Sequence, residues 1–175
     1  ALPSAYHPLS AVGIPEKMYT AIVSASEEVG NFAHGYTFSG HPVAAAVGVK
    51  ALEIYEREKT FEKAAALSPH FQRSLQTFAD HPLVGDARGV GMIGACELVA
   101  NKSTKAAFDP AAKVGAYCLQ RCQANGLIIR ALGDIMAFCP PLIVSDDEVG
   151  EIFDIFGRSL DETLDWVTRE GLLAG

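Results

Sequence analysis

The run His34-Gly35-Tyr36-Thr37-Phe38-Ser39-Gly40-His41-Pro42 concentrates the chemically useful residues of this chain. Glycines and hydroxyl donors stand immediately before a helix that the pattern starts near Pro42. Free backbone N–H groups, the positive end of a helix and the hydroxyls of Thr37 and Ser39 together suit a phosphate ester. On spacing alone, an ordinary surface loop with an N-cap accounts for the run slightly better. His34 and His41, which flank the loop, read as structural before they read as catalytic.

Arg130 is the second candidate. It follows Leu127-Ile128-Ile129, and the four together read as a buried strand that leaves Arg130 at the edge of the core beside a cleft. A guanidinium held there can grip a carboxylate through two parallel hydrogen bonds. Pairing with a nearby acid such as Asp134 is the equally good alternative.

Two further patterns invite stronger readings than they support. Gly89-Val90-Gly91-Met92-Ile93-Gly94 matches G-x-G-x-x-G literally. A dinucleotide loop needs a strand before it and a helix after it. Ala95-Cys96-Glu97-Leu98-Val99 is strand-like instead, so the run reads as a glycine-rich turn feeding a strand, and an NAD-linked oxidoreductase is set aside. Cys118 and Cys122, four apart on one helical face, belong with Val114 and Tyr117 in a buried stripe. A zinc site would want two more ligands at suitable spacing, so no metal site is expected.

The elements that must position these residues follow from periodicity and punctuation. Leu9 to Ile14, between Pro8 and Pro15, suits a buried strand, and Pro15 opens a helix to about Ala25. Glu27 to Gly40 reads as a loop. Pro42 to about Lys59 reads as a helix whose first half is apolar nearly all round and buried, and whose charged second half reaches water. Thr60 to Asp80 is helical, with Thr60 as N-cap and Pro69 inside it. Ile93 to Val99 is a strand preceded by glycine-punctuated β-type residues. Asp109-Pro110 starts a helix that ends at Asn125-Gly126. Leu127–Arg130 and Ile135–Cys139 are strands about a Gly133-Asp134 turn. Ser145 and Glu148 form a capping box for a closing helix with Val149, Ile152, Phe153, Phe156, Leu160, Leu164 and Val167 on one face.

That order makes the second half an α+β domain with helices on one side of a small sheet, and the first half the tail of a larger α/β unit. The expected division is 1–58, the end of a large domain with a connecting helix, and 59–175, a small C-terminal domain. The 175 residues carry 14 Lys+Arg against 21 Asp+Glu, a net charge of −7, which argues against nucleic acid or an anionic membrane as partner. No run approaches the ~20 apolar residues of a membrane span. Four cysteines are too few for a disulfide framework at this length, and a reducing cytoplasm is the simplest compartment.

Four stretches, in order, carry a family resemblance: Leu2-x-x-x-Tyr6-x-Pro8-Leu9-Ser10-Ala11-Val12; His34 to Pro42 as quoted; Val84-x-x-x-Arg88-Gly89-x-Gly91; and Gly126-Leu127-Ile128-Ile129-Arg130-x-x-Gly133-Asp134 followed by Pro140-Pro141-Leu142. Over essentially its whole length the chain resembles the C-terminal part of a class III, ω-type aminotransferase, an enzyme of fold type I that uses pyridoxal 5′-phosphate (PLP). The resemblance implies an α/β fold: the end of the PLP-binding large domain, then a small α+β domain. It implies that Tyr36 and Thr37 bind the phosphate of PLP held by the partner subunit of a homodimer with shared active sites, or of a higher oligomer. It implies that Arg130 binds the carboxylate of an amino or keto acid and swings aside for uncharged amines. The implied reaction moves an amino group from an amine or ω-amino acid to a keto acid such as pyruvate.

The Schiff-base lysine of such enzymes would stand directly before Ala1, so no catalytic residue is expected in this chain, which reads as the distal part of a longer enzyme. An aminomutase, racemase or decarboxylase of the same family would share these motifs. A non-catalytic dimerisation fragment is the reading from another class.

Overall fold

A computed structural model describes residues 2–174. The chain falls into two compact units, Ala1–Lys59 and Thr60–Gly175.

The first unit holds helix α1 (Glu16–Val29) and helix α2 (Pro42–Glu58). Pro15 is the extended residue that caps α1 rather than its first helical one, and Gly30, at φ 89°, ends the helix with its N–H on the Ser26 carbonyl. The helix therefore runs four residues past Ala25 and takes Glu27 to Val29 out of the expected loop. Pro42 opens α2, where its missing N–H costs no bond. The segment before α1 is tied to α2: the Tyr55 hydroxyl meets the Leu2 carbonyl at 3.3 Å and the Ser4 hydroxyl, and Leu9 packs on Gly48 so closely that a Cβ there would lie 2.6 Å from its Cδ2.

Two expectations fail in this unit. Leu9 to Ile14 is not a strand, and Val12 is 89% exposed. A strand needs a neighbour to satisfy its backbone groups, and the first unit has no other extended segment in a ladder among the described residues. The apolar half of α2 is not buried all round either. Ala44 and Gly48 are buried, but Val43 and Val49 are mostly exposed, because the N-terminal segment covers one side only. The charged half reaches water as expected, with Lys50–Glu53 and Arg57–Glu58 ion pairs on its surface.

The second unit is a four-stranded antiparallel sheet with helices on one face. Its elements are α3 (Thr60–Gln76), β1 (Val84–Val90), β2 (Ile93–Leu98), α4 (Val114–Ala124), β3 (Arg130–Leu132), β4 (Ile135–Phe138) and α5 (Asp146–Arg169), and the sheet order is β1-β2-β4-β3. Thr60 is the first residue of α3 and is buried. Lys59, left-handed at φ 52°, makes the break from α2, so Thr60 is not the cap. The expected helix from Asp109 is two pieces. Asp109 Oδ1 accepts the Ala111 N–H at 2.9 Å and caps a 3₁₀ turn, Pro110–Ala112, and left-handed Lys113 then separates it from α4.

Alternation sorts the sheet. Cys96, Leu98, Met136 and Phe138 point to the helices and are buried, while Ala95, Glu97 and Ala137 face the other way. Against the inner face, Phe71, Phe78, Phe138, Phe153 and Phe156 form a ring cluster with centroids 4.9–5.9 Å apart. Tilted and edge-to-face pairs of this kind stabilise beyond their area, by about 0.5–1.5 kcal/mol each. Helix α5 begins with the expected capping box: Ser145 Oγ accepts the Glu148 N–H at 3.2 Å, and Glu148 Oε2 accepts the Ser145 N–H at 2.7 Å. The Ser145 N–H, and the Ser145 hydroxyl at 2.8 Å, both donate to the Glu148 carboxylate and hold it below its ordinary pKa. Cys118 and Cys122 lie in the buried stripe on α4, and Tyr117 beside them stacks on Trp166 at 4.0 Å.

The glycine run is the β1–β2 hairpin. Gly91 turns it at φ 61°. A Cβ on Gly94 would lie 2.5 Å from Leu75 Cδ2, so that glycine lets α3 rest on the strand.

Candidate functional site

The loop between α1 and α2 presents Tyr36 and Thr37 on an open turn. The Ser39 N–H donates to the Tyr36 carbonyl at 2.9 Å, and the Ser39 hydroxyl accepts the Tyr36 N–H at 2.9 Å. Ser39 thus braces the turn from within. Gly40, at φ 70°, directs the chain into His41, whose N–H meets the Phe38 carbonyl at 3.2 Å. Among the described residues, neither the amide nor the hydroxyl of Thr37 is engaged, and Thr37 is exposed. The first turn-closing bond of α2 comes from Ala45 to the His41 carbonyl, at 3.0 Å, and among the described residues the N–H groups of Val43 and Ala44 have no backbone acceptor, as at any helix start. His34 packs edge-on to Tyr36 at 5.9 Å, and His41 lies against Phe38 at 6.3 Å and His7 at 6.2 Å.

Arg130 lies in the second unit. It is the first residue of β3 and not the last of a strand Leu127–Arg130. The two-residue turn at Gly133-Asp134 pairs Leu132 with Ile135 and Arg130 with Ala137. β4 ends at Phe138, and Cys139 and the Pro140-Pro141 pair follow it. The ladder runs only as far as Arg130, and Ile128, beyond it, is 91% exposed rather than buried. Asp134 does not bind Arg130; its Oδ1 accepts the Gly115 N–H at 2.7 Å. Among the described residues, Arg130 has no carboxylate partner.

A cleft of about 340 Å³ opens beside Arg130, walled by Leu127, Ile129, Ala137, Cys139, Pro141 and Ile152 among others. An unpaired guanidinium at the lip of an apolar cleft can fix the carboxylate end of a small ligand and leave its carbon chain to the walls. The neighbouring strand pair shows the opposite arrangement. Arg88 Nη1 lies 2.7 Å from Asp86 Oδ2 and 2.8 Å from Glu97 Oε2, and these two carboxylates raise its pKa. The pairing of Arg88 was missed in the sequence, although Asp86 at i−2 on the same strand face was a usable signal.

The family model Aminotransferase class-III matches residues 2–160. Among curated relatives, a putrescine–pyruvate aminotransferase of Pseudomonas aeruginosa is 44% identical over 163 residues, covering 93% of this chain and 35% of that protein. A mitochondrial gamma aminobutyrate transaminase 1 of Solanum lycopersicum is 42% identical over 163 residues, covering 93% and 32%. Among solved structures, a transaminase obtained by ancestral reconstruction superposes with a TM-score of 0.92 at 45% identity, over 95% of this chain and 37% of that one. The ω-transaminase of Pseudomonas jessenii in complex with PMP superposes with a TM-score of 0.89 at 45% identity, over the same shares. The chain spans about a third of the length of the relatives it matches. The lysine expected ahead of Ala1, and Ala1 itself, lie outside the described residues. The fold is that of the PLP-dependent transaminases of fold type I, and the chain belongs to the class-III aminotransferases.

Proposed function

We propose that this chain forms the distal part of a PLP-dependent aminotransferase that moves an amino group from an amine or ω-amino acid to a keto acid such as pyruvate. Residues 1–58 would complete the cofactor-binding domain, and 59–175 would form the small domain that carries Arg130. The open turn at Tyr36 and Thr37 fits a phosphate ester. An unengaged hydroxyl and amide sit directly before a helix start with free N–H groups, and Ser39 holds the turn without consuming either. Bound there, PLP would supply an electron sink for the carbon that loses or gains the amino group. Thr37 would hold the phosphate of a cofactor seated in the partner subunit of a homodimer. The exposed aliphatic faces of α1 and α2 supply surface for that pairing, since Met18, Val23, Val43 and Val49 are all at least 45% exposed. Four free cysteines fit a reducing compartment, the cytoplasm in the simplest case. Among the described residues no helix is long and apolar enough to cross a membrane.

One observation carries the substrate reading: among the described residues, Arg130 has no carboxylate partner and stands beside an apolar cleft. Its role is to orient a keto acid by the carboxylate and to leave the cleft open to an amine that lacks one. Losing a charge-assisted carboxylate contact costs about 1.5–3 kcal/mol, or about 10- to 150-fold in kcat/KM. Arg130→Ala in the full-length protein should therefore lower kcat/KM for pyruvate by that factor and change the value for a carboxylate-free amine by less than about threefold. Equal losses for both would remove Arg130 from the role. Failure of the wild-type protein to aminate pyruvate from any amine would remove the reaction.

A further inference from the structure

The register of the sheet places four residues in one row on its helix-free face. Arg88 on β1 pairs with Ala95 on β2, Ala95 with Ala137 on β4, and Ala137 with Arg130 on β3. Three strand spacings of about 4.8 Å put the two arginines about 14 Å apart at their Cα atoms, with only alanines between. The row ends are unlike. Arg88 is anchored by Asp86 and Glu97, and among the described residues Arg130 has no such anchor.

What limits the Arg130 side chain is thus its direct cross-strand neighbour. Side chains directly opposite each other have Cβ atoms about 4.5–5.5 Å apart, so a residue larger than alanine at 137 would lie along the three-methylene stem of Arg130. Ala137 stops at its Cβ, is half-buried, and lines the cleft beside Arg130. The other side of Arg130 is open, because β3 is the edge strand. With a bare Cβ on one flank and no strand on the other, the guanidinium has little to fix its direction.

The geometry points to Ala137 as a positioning residue that sets the freedom of Arg130, and through it the balance between substrates with and without a carboxylate. This rests on the function proposed above and deepens it. A β-branched residue at 137 would buttress the stem, favour the arginine standing toward the cleft, and tax any substrate that needs it moved.

The test compares wild type, Ala137→Val and Ala95→Val in the full-length holoenzyme. Valine suits a strand, and Ala95, two strands from Arg130, reports any general effect of an added valine on this face. The first readout is the ratio of kcat/KM for pyruvate to kcat/KM for 1-phenylethylamine. Ala137→Val should raise it at least threefold and Ala95→Val should not. The second is the rate at which phenylglyoxal modifies Arg130, read by peptide mass spectrometry with Arg88 as the internal reference. Ala137→Val should slow Arg130 at least threefold relative to Arg88. A smaller change in either readout, or an equal change in Ala95→Val, overturns the inference. Should wild type transfer no amino group, the proposed function falls, and the reagent rates alone still decide whether Ala137 governs the Arg130 side chain.

Discussion

Helix α4 reaches the Arg130 hairpin through one glycine, and this contact can be tested by the sign of two matched substitutions. A Cβ on Gly115 would collide with the Gly133 carbonyl oxygen and lie 2.9 Å from Asp134 Cα, both backbone atoms of the β3–β4 turn. The Gly115 N–H also donates to Asp134 Oδ1 at 2.7 Å. Gly115→Ala gains about 1 kcal/mol of helix propensity. Against that stand about 1–3 kcal/mol of overpacking and about 1.5–3 kcal/mol if the shift breaks the bond to the carboxylate. The expected net loss is about 0–2 kcal/mol if that bond holds and about 1.5–5 kcal/mol if it breaks. Gly150→Ala on α5 is the matched case, since nothing lies within 4 Å of a Cβ there; it should gain about 0.5–1 kcal/mol. Urea unfolding followed through Trp166 reads both. Trp166 is the one tryptophan of the chain and stacks on Tyr117 of α4, so its signal reports the α4–α5 contact. If the two variants shift stability in the same direction, α4 does not rest on the turn, and the account of how Arg130 is positioned fails with it.

Two further outcomes are expected. Thr37→Ala should weaken retention of PLP by the full-length protein about 10- to 150-fold, the worth of one hydrogen bond to a charged group. Thr37→Ser should restore it, and unchanged retention on dialysis, read by cofactor absorbance, refutes the phosphate assignment. His81 should make stability pH-dependent. Burial lowers its pKa below 6.5 and outweighs the opposing pull of Asp161, with which it shares a 3.3 Å contact, while Lys102 adds to the lowering. The unfolded chain then binds the proton first, so stability is full above about pH 6.5 and falls as the pH drops toward the lower folded value. His81→Asn should flatten that slope, and equal slopes in variant and wild type exclude the histidine as its source.

What could be read in the sequence was local. Ser145 and Glu148 make a capping box within four residues, Gly133-Asp134 makes a two-residue turn, and the 3–4 spacing of Val149, Phe153, Phe156 and Leu160 names a buried face; each signal is complete in itself. What could not be read depended on partners. Leu9 to Ile14 has strand composition, but a strand forms only against a neighbour. Leu127-Ile128-Ile129 looked like the body of a strand because apolar β-formers look alike whether or not they are laddered. Only Arg130–Leu132 are laddered, against Ile135–Ala137 of β4. Lys59 and Lys113 escaped notice because a left-handed lysine carries no mark in composition, yet those two residues separate α2 from α3 and the 3₁₀ turn from α4. For the site, residue types were legible and their freedom was not. Asp134, four residues from Arg130, has the charge and spacing of a partner, but its carboxylate is occupied by the helix amide of Gly115.

The two faces of the small sheet differ in the freedom they leave a side chain. The inner face takes the large residues, Met136 and Phe138 among them, and closes over α3, α4 and α5 at no measurable exposure for Met136. A close-packed face cannot let a side chain move without opening a void. Alternation then gives the outer face every second residue, so the rigidity of Met136 and Phe138 is what holds Ala137 between them in place. Ala137 in turn fixes where the stem of Arg130 begins without fixing where its guanidinium points. Had Arg130 fallen one residue earlier in this register it would have faced the core and needed a buried partner, with several kcal/mol at stake if the partner were missing. Placed as it is, on an edge strand over a floor of alanines, it can stay charged and unpaired at little cost, the condition a residue must meet if it is to bind one carboxylate and then release it.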